Sequence, residues 1–435
     1  MKEINENETV QPSHHTITLD SLAYGGDAVG HIDDRVAFVP DGVPGDVARI
    51  SVKEDRGSFI RGTIDEIITP SPERIDPFCP HASRCGGCQW QSVAYPAQLE
   101  WKRKIVGETL RRIGGVDGVE PEECLPSPQE RKYRTSARYP ARVTSKGLIF
   151  GYFERRSHRI VDIDVCPVAS ERVNEIASHL RSCIPDYCRD ADIREIEIHA
   201  SQNDPSALLR LTTGRHAKLG NAAEHILEAI PGLGGVIHHG PNGFLRLYGD
   251  PHRSEIICGK RFRIEARSFF QINVSQAERL VSLAGEMLDL EKGNTVVDGY
   301  GGVGLFSLCI APSDTRIISY DRSKHSVKDS VVNARDLGFT SFNAYCKNTP
   351  DAAEIIGHAD RIILDPPRTG LGKTDVEAIT GLDAAIIVYI SCNPATLARD
   401  LKLFAEIGYL IERIVPVDMF PHTYHIETSV KLVKE

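Results

Sequence analysis

The chain lacks the features of an exported or membrane-spanning protein. None of its apolar runs approaches the roughly eighteen residues that a membrane-spanning helix needs, so we expect no membrane partner. No signal peptide is visible, and eleven cysteines are few and odd in number for 435 residues, which argues against a disulfide scaffold. We therefore expect reduced thiols and a cytoplasmic location.

An excess of positive charge is missing too. Lysine and arginine number 51 against 60 acidic residues, and the formal net charge is −9. Net charge is a weak guide to partners, because binding depends on local patches of charge. The length of 435 residues exceeds one comfortable core, so two or three domains are expected.

Composition and periodicity change along the chain in a way that predicts a multidomain protein. Residues 1–13 are polar and acidic and are expected to form a disordered tail. Apolar and polar residues then alternate between glycine turns over residues 14–72, which predicts a small β-barrel. The rest is expected to form an α+β central domain with a metal-binding loop (73–95 and 126–265) and a C-terminal, doubly wound, Rossmann-like α/β domain (96–125 and 266–435).

The most informative segment is residues 389–396, with the sequence YISCNPAT, directly after the apolar run Ala384–Val388. An apolar strand that ends in a cysteine and an Asn-Pro turn places a thiol where open α/β sheets bind ligands. Cys392 is therefore a candidate nucleophile. The alternative is a buried, inert cysteine, because free cysteine is among the most buried residue types.

Two further segments favour chemistry at Cys392. Asp365 begins the sequence DPPRTG after the apolar run Ile362–Leu364, and the proline pair ends the strand and exposes the carboxylate. Glu427 ends the sequence FPHTYHIE, just before a last strand-like run, Thr428–Val433. The DPPRTG segment is separated from the segment IVYISCN by sixteen residues.

Together these segments resemble the signature of the S-adenosylmethionine-dependent RNA uracil-C5 methyltransferases, which make 5-methyluridine in tRNA and 23S rRNA. The resemblance implies that Cys392 attacks C6 of uracil, that C5 takes the methyl group, and that Glu427 removes the C5 proton. It implies a uridine in structured RNA as the substrate, in 23S rRNA rather than tRNA. Addition at C6 makes chemical sense, because it turns an electron-poor C5 into an enolate-like nucleophile.

A glycine loop, residues 299–304 with the sequence GYGGVG, follows the short strand Thr295–Asp298. Such a loop lets a ligand approach the backbone at a helix N-terminus. Alone, it also fits the dinucleotide fingerprint of a nicotinamide enzyme. The resemblance favours S-adenosylmethionine instead and implies contacts from Gln271, Asp298, Tyr300, Gly302, Asp321, Asn348 and Asp365.

The glycine loop departs from the family's usual sequence, Asp-Leu-Phe-Cys-Gly-Val-Gly-Asn-Phe, at Gly299, Gly301 and Leu305. The two glycines leave the loop intact, whereas the apolar Leu305 removes a polar side chain that could contact the methyl donor. Gln271 belongs to the sequence SFFQIN, in which Phe269 is expected to be a core residue.

Four cysteines are grouped like metal ligands. Cys79, Cys85 and Cys88 lie in a loop rich in proline and glycine, and Cys166 follows Cys88 after seventy-eight residues. Zinc and a [4Fe–4S] cluster both accept four thiolates, and the spacing leaves both open. The larger rRNA-modifying members of the family share this arrangement, which implies a [4Fe–4S] cluster.

The predicted barrel resembles the TRAM module, an OB-like RNA-binding domain, in its turns at residues 24–30 and 39–46. We expect RNA as the partner of a monomer, although a non-catalytic RNA-binding or metal-cluster protein and a methyltransferase of small molecules are alternatives. Candidates for RNA contact are basic residues with interleaved tyrosines: Arg131, Lys132, Tyr133, Arg134, Arg138 and Tyr139, and then Arg155, Arg156, His158 and Arg159.

Overall fold

The computed structural model describes residues 13–145, 147–187, 192–214 and 219–435. The predicted disordered tail, apart from Ser13, lies outside these residues. Within the described ranges, no helix is both long enough and apolar enough to cross a bilayer.

Five N-terminal strands close into a small barrel in the order β1-β2-β3-β5-β4. Side chains two residues apart, such as Ile17 and Leu19 or Ala48 and Ile50, are buried inside it, as the pleat of a strand requires. The predicted small barrel is therefore confirmed. Its strands are β1 (His14–Leu22), β2 (Ala28–Ile32), β3 (Arg35–Val39), β4 (Val47–Asp55) and β5 (Phe59–Thr69).

The loop with three of the grouped cysteines connects the barrel to the first helix, α1 (Tyr95–Thr109). Pro96 suits the first turn of α1, where a backbone N–H has no helical partner. A short π-helical turn, Leu110–Gly114, follows and ends where Gly115 adopts a left-handed backbone with φ 62°.

The central region is a seven-stranded sheet in the order β12-β11-β10-β9-β6-β7-β8, with a separate hairpin, β13 and β14. Only β10 and β11 pair in parallel. Two helices, α2 and α3, pack against this sheet, so the region has the α+β composition expected. The elements are β6 (Ser136–Thr144), β7 (Gly147–Phe153), β8 (Ile160–Asp162), α2 (Glu171–Tyr187), β9 (Ile193–Ala200), β10 (Ala207–Thr213), α3 (Gly220–Ala229), β11 (Leu233–His239), β12 (Leu245–Gly249), β13 (His252–Ile257) and β14 (Lys260–Glu265).

The C-terminal region is a second seven-stranded sheet, in the order β17-β16-β15-β18-β19-β21-β20, in which β21 runs antiparallel to both neighbours. It is the predicted Rossmann-like domain. Its elements are α4 (Val274–Leu288), β15 (Thr295–Gly299), α5 (Leu305–Ile310), β16 (Arg316–Asp321), α6 (Lys324–Asp336), β17 (Phe342–Cys346), α7 (Thr349–Ile356), β18 (Arg361–Leu364), α8 (Lys373–Thr380), β19 (Ile386–Ser391), α9 (Pro394–Glu406), β20 (Tyr409–Val417) and β21 (Glu427–Lys434).

The order of these strands creates a crevice at one edge of the sheet. The chain builds outward from β15 through β16 to β17, and then returns to place β18 on the other side of β15. Ligands bind at such a switch point, outside the carboxyl ends of the strands. Helix α1 packs against α9 and β20 of this region, as expected for residues 96–125, whose domain boundaries remain predictions.

Candidate active site

The predicted nucleophile and base meet at the ends of two antiparallel strands. Ser391, the last residue of β19, pairs with Thr428 of β21. Cys392 follows Ser391 and Glu427 precedes Thr428, so the register places them opposite each other. The sequence predicted that Glu427 precedes the last strand. In the structure Glu427 is the first residue of that strand, β21, and it pairs with Val417 of β20. The sheet therefore fixes the position of its carboxyl group.

Asp365 adds a second carboxyl group to this cleft. Burial and the carboxylates of Glu427 and Asp365 raise the pKa of the Cys392 thiol to about 12, against a lowering effect of Arg368. Burial and Asp365 likewise raise the pKa of Glu427 well above its ordinary value. Burial and Asp298 raise the pKa of Asp365 to about 7. The resting cleft therefore keeps Cys392 as a thiol at neutral pH, and Glu427 binds its proton more tightly than an exposed glutamate does.

Gln271 reaches the same cleft from the loop before α4. Its Nε2 donates to Oδ2 of Asp365 over 3.4 Å, and its side chain is buried. Asn273 holds this loop in place, because its Oδ1 caps α4 by accepting from N of Gln276, and its Nδ2 donates to the carbonyl oxygen of Met419 at 3.0 Å. The asparagine of SFFQIN is thus structural, and the glutamine contacts Asp365.

The glycine loop after β15 is shaped by the neighbouring strand β16. A Cβ at Gly301 would overlap Oγ of Ser319, and a Cβ at Gly299 would overlap Oη of Tyr320. At both positions, Ser319 and Tyr320 of β16 therefore leave no room for a Cβ in this chain. Leu305 is buried in the core at 6% exposure, so the loop offers a ligand no polar side chain at that position.

Two acidic residues end the strands on either side of this loop. Asp321 accepts from the backbone N of Gly302 at 3.1 Å through Oδ2, and from the N of Ser323 at 2.7 Å through Oδ1. Asp298 is fully buried and accepts from Oγ of Ser307 at 2.5 Å. Burial raises the pKa of Asp298 to about 6. Asp321 thus holds the backbone of the glycine loop in place, whereas the side chain of Asp298 is hydrogen-bonded to Ser307 of α5.

Tyr300 and Asn348 are held by polar contacts beside the loop. Oη of Tyr300 donates to Oδ2 of Asp375 at 2.8 Å and accepts from Oγ1 of Thr349 at 2.9 Å. Asn348 caps α7, where its Oδ1 accepts from N of Asp351 at 2.9 Å. The contacts of both residues with a methyl donor remain predictions.

The four cysteines grouped in the sequence line one cavity of about 50 Å³: Cys79, Cys85, Cys88 and Cys166. Backbone N of Gly87 donates to Sγ of Cys85 at 3.4 Å, and Arg134 also lines the cavity. Burial raises the pKa of the Cys88 thiol to about 12. Among the described residues, no three histidine, cysteine or acidic side chains converge closely enough to hold a single metal ion.

The segment 418–427 connects this cavity to the cleft. Lys102 of α1 donates from Nζ to Oδ1 of Asp418 at 2.5 Å, and both side chains are fully buried. Thr423 lines the cysteine cavity, and Glu427 lies in the cleft. Helix α1 therefore anchors a stretch of chain that contributes to both places.

Comparison with known proteins identifies the family. A family model for tRNA (uracil-5-)-methyltransferase matches residues 357–435, which include Asp365, Cys392 and Glu427. An uncharacterized RNA methyltransferase of Thermosynechococcus vestitus is 34% identical over 437 residues, which cover 95% of this chain and 96% of the relative. An uncharacterized RNA methyltransferase of Halalkalibacterium halodurans is 31% identical, and the match covers 98% of this chain and 97% of the relative. The chain belongs to the RNA uracil-C5 methyltransferase family.

A solved structure is similar to the methyltransferase over nearly its whole length. It is the tRNA (uracil-54, C5)-methyltransferase of Pyrococcus abyssi in complex with S-adenosyl-L-homocysteine, with 26% identity and a TM-score of 0.75 over 96% of this chain and 100% of that one. The protein is therefore an S-adenosylmethionine-dependent methyltransferase of RNA uracil. These matches support none of the three alternatives considered from the sequence. Those alternatives were a nicotinamide-dependent enzyme, a methyltransferase of small molecules, and a non-catalytic RNA-binding or metal-cluster protein.

Three side chains near the methyltransferase's cleft were not predicted correctly. Arg368 lowers the pKa of Cys392 and of Glu427 through its charge, although no pattern in the sequence assigns a role to this arginine of DPPRTG. Tyr24 of the barrel contacts the backbone of Cys392, a pairing that no sequence pattern indicates. The expectation for Phe269 was wrong, because this residue is 69% exposed rather than part of the core.

The expectation for the tyrosines in the basic stretches was wrong as well. Tyr133 and Tyr139 are 1% and 3% exposed in the core of the central sheet, so they are closed to RNA. Arg155 forms an ion pair with Asp41 of the barrel. This arginine therefore links the central region to the barrel instead of forming part of a solvated basic stripe.

Proposed function

We propose that the enzyme methylates C5 of a uridine in structured RNA through a covalent bond between Cys392 and C6. The observation that carries this proposal is the strand register that places Cys392 opposite Glu427, with Asp365 beside both. A thiol and two carboxyl groups in one cleft supply the nucleophile and the proton acceptors that addition and elimination require.

The protons can be followed through the reaction. With a pKa of about 7, Asp365 is partly ionised at neutral pH and can take the proton of Cys392 as sulfur bonds to C6. The electron pair of the C5–C6 double bond then bonds C5 to the methyl group of the donor, while the bond from that methyl carbon to the sulfonium sulfur breaks and S-adenosylhomocysteine leaves as a neutral thioether. Glu427, acting as a carboxylate, takes the C5 proton, the double bond re-forms, and the C6–S bond breaks. Cys392 leaves as a thiolate and recovers its proton from Asp365.

The residues that end β15, β16 and β18 fit the methyl donor. We propose that Asp321 binds the ribose hydroxyls beside Gly302, and that Gln271 and Asp365 lie at the sulfonium end. Asp298, Tyr300 and Asn348 complete the predicted set around the glycine loop. S-adenosylmethionine supplies the methyl group together with a positive sulfonium, which favours the ionised form of nearby carboxyl groups.

We propose that the cysteine cavity holds a [4Fe–4S] cluster. Zinc binds thiolates at about 2.3 Å, which draws four sulfurs to within about 4 Å of one another. The described residues offer no such single-ion site, although the four predicted thiols line one cavity. A four-iron cluster holds its thiolates farther apart, and the N–H of Gly87 and the guanidinium of Arg134 suit its sulfur and its charge.

The proposal also concerns which RNA, 23S rRNA or tRNA, contains the target uridine. The resemblance implied 23S rRNA rather than tRNA, but the matched structure is that of a tRNA enzyme, so both substrates require a direct comparison. The purified enzyme and labelled S-adenosylmethionine should place 5-methyluridine in total RNA from a strain that lacks the gene. Fractionation and nucleoside mapping identify the target. Label in no RNA, or only in another nucleoside, would overturn the proposed reaction.

We also propose a monomer in the cytoplasm. None of the ten cysteines in the described part of the chain forms a disulfide bond, and thiols persist in a reducing compartment. Light scattering of the purified protein measures its mass directly. A stable dimer would contradict this part of the proposal.

A further inference from the structure

The turn between β1 and β2 reaches from the barrel into the catalytic cleft. Oη of Tyr24 donates to the carbonyl oxygen of Cys392 over 3.4 Å, across 368 positions of sequence. Its ring packs edge-on against Tyr424, with 5.5 Å between centroids. The barrel thus contributes one side chain to the wall of the cleft that contains the nucleophile.

Buried contacts fix the position of this turn. Nε1 of Trp90 donates to the carbonyl oxygen of Gly26 at 3.1 Å, and Trp90 is 1% exposed. Gly26 has a φ of 98° and packs so closely on Gln89 that a Cβ would overlap that side chain. Tyr24 is therefore held at the cleft by the packing of its neighbours.

The ring of Tyr24 also remains accessible. Its exposure is 39%, even though the residue touches both the barrel and the catalytic domain. It borders a groove of about 780 Å³ between the barrel and α1, whose other lining residues include Phe38, Arg111 and Arg112. Tyr24 therefore lies between the cleft with Cys392 and a groove with two arginines.

We propose that the ring of Tyr24 stacks on the nucleotide next to the target uridine and that the RNA strand continues into this groove. The inference rests on the proposed function. A uracil attacked at C6 must leave its base stack, so its neighbour loses a stacking partner that an aromatic ring replaces. Arg112 is suited to neutralising a phosphate of that strand, and Arg111 is too if the phosphate displaces its exposed partner Glu120. Glu108, which also lines the groove, confines this role to the end of the groove with the two arginines.

Two substitutions separate the ring from its hydroxyl group. Tyr24→Ala removes both, and Tyr24→Phe retains the ring. We expect Tyr24→Ala to raise the KM for RNA and the Kd of the protein–RNA complex about tenfold, the usual effect of losing one stacked base. The kcat at saturating RNA should stay within about threefold on the same argument. Tyr24→Phe should resemble the wild type.

The measurements use the holoenzyme and total RNA from a strain that lacks the gene, with filter binding for affinity and labelled donor for turnover. Phe244→Ala is a matched control, because Phe244 is 41% exposed and precedes β12, the edge strand of the central sheet. Its RNA affinity should not change. Donor affinity and thermal unfolding should be the same in all of these variants.

Several outcomes would overturn the role of Tyr24. These are an unchanged Kd and KM in Tyr24→Ala, a loss in Tyr24→Phe as large as in Tyr24→Ala, and equal weakening in Phe244→Ala. The second outcome would assign the effect to the hydroxyl contact with Cys392. If wild-type protein bound RNA through Tyr24 but methylated no uridine, the stacking contact would stand and the proposed function would fail.

Discussion

The cleft and the cavity both bury their cysteines but surround them with different charged groups. In the cleft, Cys392 is close to the carboxyl groups of Asp365 and Glu427, which raise its pKa. In the cavity, four thiols face a common space beside Arg134 and receive the N–H of Gly87. Carboxylates oppose a thiolate, whereas cations, N–H donors and metal ions favour one. The cleft thus suits a thiol that ionises only during reaction. Burial raises the pKa of Cys88 as well, so the cavity suits thiols that become permanent thiolates by binding a metal.

Of the substitutions that test this contrast, replacement of the cleft cysteine should have the largest effect on activity. Cys392→Ala should lower methylation by at least about 10⁴-fold, because the adduct cannot form, while donor binding and thermal unfolding stay the same. RNA containing 5-fluorouridine should trap the wild type covalently, since no C5 proton can leave. Denaturing electrophoresis detects the adduct. A stable adduct in Cys392→Ala would refute the assignment.

Removing the base should divide the reaction into its two halves. Glu427→Gln should still form the adduct and accept the methyl group, but release should slow about 10²- to 10⁴-fold, because nothing removes the C5 proton. A protein–RNA complex that carries labelled methyl should then accumulate on denaturing gels. Turnover equal to that of wild type would show that another base, such as His425 or water, does this work.

Substitution of one cavity cysteine tests whether the cavity holds a metal cluster, and it should leave the cleft intact. Protein purified without oxygen should be brown, with about four irons per chain. Cys88→Ser should lose this iron, much of its RNA affinity and several degrees of Tm, while donor binding survives. Cys346→Ser, at an exposed cysteine, is the matched control and should retain iron. Stoichiometric zinc without iron would refute the cluster.

The smallest expected effect is on stability. Folding raises the pKa of Asp365 from 3.8 to about 7, so the folded protein binds this proton more tightly, and the resulting stability is lost as pH rises from about 4 through 7. Asp365→Asn should remove that loss, so the stability of the variant should fall less than that of the wild type between pH 5 and pH 8. Urea unfolding at pH 5 and pH 8 measures the slope. An unchanged slope would contradict the shift.

Sequence patterns predicted which functional residues lie at the ends of strands. They did not predict which of these residues contact one another in the fold. Asp298, Asp365 and Cys392 each follow an apolar run, and the parallel strands collect them at one edge. The meeting of Cys392 with Glu427 depends on the register of β19 and β21, which no local pattern specifies. The contact of Tyr24 with Cys392 depends on how separate parts of the chain pack together, and this is invisible from a turn sequence.

The basic stretches show why a charged pattern misleads. Arg138 and Tyr139 are adjacent in β6, and neighbours in a strand point to opposite faces. The arginine is therefore exposed and the tyrosine is buried in the central core. Interleaved arginines and tyrosines here indicate a strand with one polar and one buried face, which in sequence looks the same as a surface for RNA.

The anchoring of the segment 418–427 has a consequence for synthesis on the ribosome. Lys102 and Asp418 are 316 positions apart, and Tyr24 and Cys392 are 368 apart. At translation rates of about 5–20 residues per second, α1 is made roughly 15 to 60 s before Asp418 emerges to pair with it. The strands of the barrel are likewise made long before Cys392 and Glu427. Under the proposed mechanism, a chain that has not yet reached Cys392 cannot form the covalent adduct with RNA.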